Sequence, residues 1–173
     1  HKWKRKEKLL LTEGRSGKRN VIQVLANGGI AALLGAVIIF LPAYTTVCMV
    51  MIAASLASAT ADTLSSELGN VYGTRYYNIL TSKEDKRGAD GVISLEGSIA
   101  GLAGSALISI VYAMGYGFGA NAFSIFIAGV AGNVADSLLG AALQRRGFIS
   151  NDMVNVLNTV FAALLILLIN GRS

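Results

Sequence analysis

Charge is scarce in this chain. Only 14% of its 173 residues are charged against 53% hydrophobic, and the mean hydropathy is +0.56; soluble domains carry about 25% charged residues. A membrane is therefore the first environment to test. Cysteine is almost missing: Cys48 stands alone in an apolar run, which excludes an intrachain disulfide framework and a Cys-based zinc site and leaves a packing role. One histidine, His1, occupies the first position, so histidine acid–base chemistry and histidine metal ligation fall away. Familiar nucleotide signatures are absent too. "EGRSGKRN" holds Gly14, Gly17 and Lys18 without the GxxxxGK spacing, and "GYGFG" (Gly115 to Gly119) opens no Rossmann unit. Whatever chemistry occurs must rest on carboxylates, amides, hydroxyls, Lys and Arg. Because the chain opens on His1 rather than Met, preceding sequence with room for another helix is expected.

What is present is apolar length. Five segments reach the roughly 20 residues that a helix needs to cross a hydrocarbon core, at about 24–44, 45–69, 92–114, 120–143 and 153–170. No cleavable signal peptide is visible. The expected fold is all-α, a polytopic bundle of about five transmembrane helices. Residues 1–20 would form a basic cytoplasmic segment and 21–173 one helical domain with cytoplasmic loops at about 70–91 and 144–152. Orientation follows from the basic residues. Of 15 Lys and Arg, eight precede the first span, while Arg75, Lys83, Lys86 and Arg87 follow the second and Arg145 and Arg146 the fourth. The connections "FLPAYTT" and "GYGFGAN" have none. The positive-inside rule puts the basic loops in the cytoplasm or its equivalent. The stretch "HKWKRKEK" reads as a topology signal resting on anionic lipid; no nucleic-acid reading motif accompanies it.

Within this apolar chain one polar phrase returns. "ADTLSSELG" (Ala61 to Gly69) ends the second span and "ADSLLG" (Ala135 to Gly140) the fourth, while "NGGIAALLG" opens the first and "DGVISLEG" leads into the third. The echo suggests two parallel hairpin repeats. Asp62 and Asp136 lie about 17 and 16 residues past the starts of their spans, hence ~25 Å from the outer face at ~1.5 Å per residue. Asn27, Ser94 and Glu96 in ascending helices, and Asn151, Asp152 and Asn155 in the fifth span, fall in the same layer. Glu67, five residues from Asp62, points about 140° away on a straight helix, so either the helix unwinds or Glu67 serves another partner. Small and polar residues at helical spacing are often interhelical glue. A charged Asp costs roughly 2.5–3.5 kcal/mol at a helix centre, so gathered acids call for a cation, a proton or a basic partner.

Carboxylates with amide and hydroxyl oxygens suit Mg²⁺, which usually shares a phosphate. The loop "YGTRYYNILTSKEDKRGADG" supplies Arg75, Lys83, Lys86 and Arg87 for phosphate oxygens. These residues point to phosphate chemistry at the membrane surface.

Four collinear blocks carry a resemblance: "ADTLSSELGNVYG", "RGADGVISLEGSIAGLAGS", "NVADSLLGAALQRRG" and "NDMVNVLN". Over about residues 14–170 they resemble the transmembrane-protein-nineteen-like family, whose plant and cyanobacterial members include phytyl-phosphate kinase of the vitamin E pathway. The resemblance implies an integral membrane kinase of the bacterial inner membrane or plastid membrane. Its active site would face the cytoplasm or stroma, and it would transfer phosphate from a nucleoside triphosphate, CTP favoured, to phytyl or a related isoprenoid monophosphate. On that reading Asp62, Glu67 and Asp136 are catalytic and hold Mg²⁺. Arg75, Lys83 and Arg87 clamp phosphates, and Asn27, Ser65, Ser66, Ser94, Glu96, Asn133, Ser137, Asn151, Asp152 and Asn155 bind or orient substrate and nucleotide phosphates. Expected partners are membrane lipid, the isoprenoid monophosphate and the nucleotide, without nucleic acid and with a homo-oligomer left open. The competing classes are a transporter or flippase, which predicts acids at the midplane, and a structural membrane subunit whose acids pair with a partner's Arg.

Overall fold

The computed structural model describes residues 21–170, so the basic segment 1–20 lies outside the described residues. Five long helices form the bundle: α1 (Val21–Phe40), α2 (Thr45–Tyr72), α3 (Leu95–Tyr116), α4 (Ala120–Ala142) and α5 (Asn151–Asn170). All five are long and apolar enough to cross a membrane. The all-α bundle expected from the sequence is the observed one.

Boundaries shift for local reasons. The first helix stops at Phe40 instead of 44, because Pro42 opens a 3-10 turn, Pro42–Tyr44. The second runs on to Tyr72 without unwinding. The third begins three residues late: Ser94 is extended (φ −131°, ψ 158°) and its Oγ accepts a hydrogen bond from the Gly97 N–H at 3.1 Å, an N-cap. The stretch between α2 and α3 is not plain loop. Strands β1 (Tyr77–Asn78) and β2 (Val92–Ile93) pair antiparallel, Tyr77 opposite Ile93 and Asn78 opposite Val92.

Helix α2 is the axis, packing against all four other helices. Lipid tails are as apolar as leucine, so close approach rather than water exclusion joins membrane helices. The sequence meets that demand with small residues. A methyl group on Gly97 would lie 2.7 Å from the Ser65 carbonyl, and one on Gly104 3.0 Å from that of Thr60, so α3 can rest directly on the α2 backbone. The buried core is accordingly rich in alanine, with Val50, Met51, Ala54 and Ala57 of α2 against Tyr112, Ile125, Ala128, Ala163 and Ile166. Large apolar side chains such as Phe40, Leu95, Met114, Phe123 and Leu168 are exposed around the outside, where the lipid would be.

Candidate functional site

The polar end of the bundle is built from α2, α4 and α5. Asp62 of α2 and Asp136 of α4 turn toward each other, and their carboxyls meet within hydrogen-bonding reach. Asn158 of α5 donates from Nδ2 to Asp136 Oδ1 at 2.6 Å, and its own Oδ1 accepts from Ser58 Oγ at 3.2 Å. Asn133, three residues before Asp136, places its amide where a side chain on Gly101 would stand, the Nδ2 lying 2.5 Å from that absent Cβ. Two carboxyls in contact repel unless a proton or a cation lies between them. That is the electrostatic demand of this site.

The α2–α3 connection folds over the same end. Its "ADG" turn presses on α4: Gly91 has φ +69°, and a Cβ there would run into the backbone of Ala141, so glycine is required on both counts. Asp90 accepts from Gln144 Nε2 at 2.8 Å and is near enough to act electrostatically on Asp136. Asp85 pairs with Arg145, with a second guanidinium contact at 3.2 Å. The Arg145 hydrogen bond, helped by the Lys86 N–H, holds the Asp85 carboxyl well below the usual carboxylate range. Burial pushes the Tyr76 hydroxyl up, and Arg87 close by opposes that shift. The hydroxyl donates toward the Gly73 carbonyl at 2.9 Å and the Gly69 carbonyl at 3.2 Å. The connection is thus tied to both helices it covers.

The residues singled out from the sequence divide into groups. Asp62 and Asp136 come together. Glu67 is exposed on a helix that stays unbroken past it, yet it lies near enough to act electrostatically on Asp62. Among the described residues no three of His, Cys, Asp and Glu gather as a metal-holding group. Ser65 is half-buried, whereas Ser66 is exposed with its hydroxyl on the Thr63 carbonyl at 3.1 Å. Ser94 and Glu96 have structural occupations. Ser94 caps α3, and Glu96 Oε1 accepts from the Thr74 N–H and hydroxyl at 3.1 and 2.8 Å, closing the end of α2 against the start of α3. Ser137 donates to the Asn133 carbonyl at 3.3 Å. Arg75 and Lys83 are exposed and Arg87 half-buried. Asn151 is exposed, Asp152 half-buried and Asn155 buried. Asn27 sits in the second turn of α1, and its Oδ1 is buried with no hydrogen-bond partner among the described residues. Asn158 and the Asp90–Gln144 contact were missed. Asn158 closes the "NDMVNVLN" block at helical spacing from Asn151 and Asn155, which was the available signal.

A family model for integral membrane proteins, DUF92, matches residues 1–163. The chain belongs to this family. It is similar to an uncharacterised membrane protein of Methanocaldococcus jannaschii, 34% identical over 87% of this chain and 62% of that one. An uncharacterised membrane protein of Synechocystis is 35% identical over 92% of this chain and 63% of its own length. Protein VTE6, chloroplastic, of Arabidopsis thaliana is 33% identical over 90% of this chain and 48% of its own. The chain therefore spans about three fifths of the first two and about half of the third. No solved structure matches this DUF92 chain.

Proposed function

We propose that this DUF92 protein is a membrane-embedded prenyl-phosphate kinase that extends an isoprenoid monophosphate to the diphosphate, with CTP as the favoured donor and phytyl monophosphate as the favoured acceptor. The observation that carries the reading is the meeting of Asp62 and Asp136 from separate helices beneath a connection bearing Arg75, Lys83, Lys86 and Arg87. The similarity to protein VTE6 over most of the chain supports it, as do the four motifs shared with the family that includes phytyl-phosphate kinase.

The donor set fits Mg²⁺. Magnesium is commonly held by one or two carboxylates, with water and substrate phosphates completing the shell; Asp62 and Asp136 would supply these, with Glu67 near enough to Asp62 to assist. The Asn27 Oδ1, which has no partner among the described residues, belongs to α1, which packs on α2 and α5, and is a hard oxygen able to take a hydrogen bond from water. When bound, the ion would neutralise the phosphates and offset the repulsion between the two aspartates. The chain's own residues do the rest. A monophosphate oxygen attacks the terminal phosphorus of the nucleotide, a new P–O bond forms, the bridging P–O bond breaks, and the nucleoside diphosphate departs. The acceptor is already ionised, so positioning and charge neutralisation carry the reaction and no strong base is needed. Arg75, Lys83 and Arg87 clamp the nucleotide phosphates from the cytoplasmic or stromal side, and the isoprenoid tail lies in the bilayer against the helices.

The test is direct. Purified protein in nanodiscs, given phytyl or geranylgeranyl monophosphate with Mg²⁺ and CTP, should form the diphosphate, read by mass spectrometry. If no pairing of prenyl phosphate and nucleotide gives product above an Asp136→Ala control, the kinase reading fails.

A further inference from the structure

The hydrogen-bond chain behind the aspartates runs through a residue that plays no part in the reading above. Asn158 is fully buried in α5 and touches both neighbouring elements of the site. Its amide has an acceptor side and a donor side. Ser58, itself fully buried, hydrogen-bonds the acceptor side at 3.2 Å, with the Asn158 main-chain carbonyl a longer alternative at 3.4 Å, and Asp136 Oδ1 takes the donor side at 2.6 Å. Turning the amide over would set its carbonyl oxygen against a carboxylate oxygen, so an ionised Asp136 fixes the orientation. Space for the Ser58 hydroxyl exists because α4 has glycine opposite: a Cβ on Gly132, one turn before Asp136, would collide with the Ser58 side chain. Three helices are thus shaped around one amide.

We propose that Asn158 is a positioning residue for the acidic pair, oriented by Ser58, which holds the Asp136 carboxyl toward Asp62 and keeps its bonded oxygen an acceptor. This rests on the reading of the pair as the cation-holding centre. A ligating carboxylate is commonly oriented by such a neighbour, whose loss costs about 10–100-fold in metal affinity.

The probe is Mn²⁺ alone, titrated into the protein in nanodiscs and followed by electron paramagnetic resonance, with no substrate or nucleotide present. Asn158→Ala should weaken Mn²⁺ binding about 10–100-fold while the thermal unfolding midpoint stays near that of the parent. Ser58→Ala, which removes only the orienting hydroxyl, should weaken it severalfold, and the double variant should match Asn158→Ala, because Ser58 acts through Asn158. Should Asn158→Ala fail to fold, Ser58→Ala carries the test. Parental affinity in either variant, losses that add in the double variant, or no Mn²⁺ binding by the parent would overturn the proposal. The two readings separate cleanly. Mn²⁺ affinities that follow this pattern without turnover on any prenyl phosphate sink the kinase and keep the positioning role; turnover with unaltered affinities does the reverse.

Discussion

Away from the long connection, buried serines close on the main chain: Ser109 donates to the Ala122 carbonyl at 2.5 Å and Ser124 to that of Asn121 at 2.9 Å. At the other end Ser58 gives its hydrogen to Asn158, which passes one to Asp136, which faces Asp62. The same hydroxyl stitches a bundle in one place and supports an acidic pair in the other. What separates glue from site is where the chain of hydrogen bonds terminates, on a carbonyl or on an ionisable group. Cavity size does not separate them. Cavities of about 260 and 300 Å³ lie at the serine-stitched end, lined by Tyr112, Tyr116 and Asn121 in one case and by Ile110, Phe123 and Phe126 in the other, far along the helices from the aspartates.

The comparison can be broken most forcefully at Asp136. Asp136→Ala should lower diphosphate formation by on the order of 10²–10³-fold with the unfolding midpoint little changed, and retained activity would move the site elsewhere. Next is Gly91→Val, which must fit a Cβ against Ala141 at φ +69°. Strain and overpacking together should cost about 2–4 kcal/mol, read as a lower unfolding midpoint and faster exchange in residues 73–94. Smaller again is Asp85→Asn, which releases the connection from Arg145 and should raise hydrogen exchange over the same residues. The sign of its pH dependence follows from the depressed carboxyl. Such a group stabilises the fold above its unfolded value of about 3.9 and loses that contribution only as pH falls through its folded value. Exchange in this segment should therefore be flat, after correction for intrinsic rates, from about pH 5 to 9, and should rise only in strong acid. The smallest effect belongs to the far end. Ser109→Ala should cost about 0.6 kcal/mol and leave turnover unchanged; a loss of activity there would erase the distinction between the ends.

Much of this was legible in the residues because a bilayer constrains a sequence so strongly. Runs of about 20 apolar residues have few other uses, and the repeated Ala-Asp phrase put Asp62 and Asp136 at one depth before any contact was known. Legibility failed where a role depends on a partner far along the chain. Ser94 and Glu96 shared the layer of the acids, yet each is occupied by a neighbouring backbone or threonine. The helix stays unbroken at Glu67, as its spacing from Asp62 required, yet Glu67 still acts electrostatically on Asp62. Asn158 went unnoticed inside a quoted motif, since nothing in α5 announces that Ser58 and Asp136 converge on it. The small hairpin between α2 and α3 was hidden for the same reason, two-residue strands being too short to show a period.

The acids come from α2 and α4, and the amide that supports them from α5, and this order has a consequence for biogenesis. As the nascent polypeptide threads into the bilayer, Asp62 arrives while Asp136 and Asn158 have yet to be synthesised. Until the last helix enters, the first carboxyl has only water drawn in from the membrane surface or a borrowed proton for company. The half-made protein is on that account the vulnerable one, and chains stalled before α5 should be preferred targets for membrane quality control.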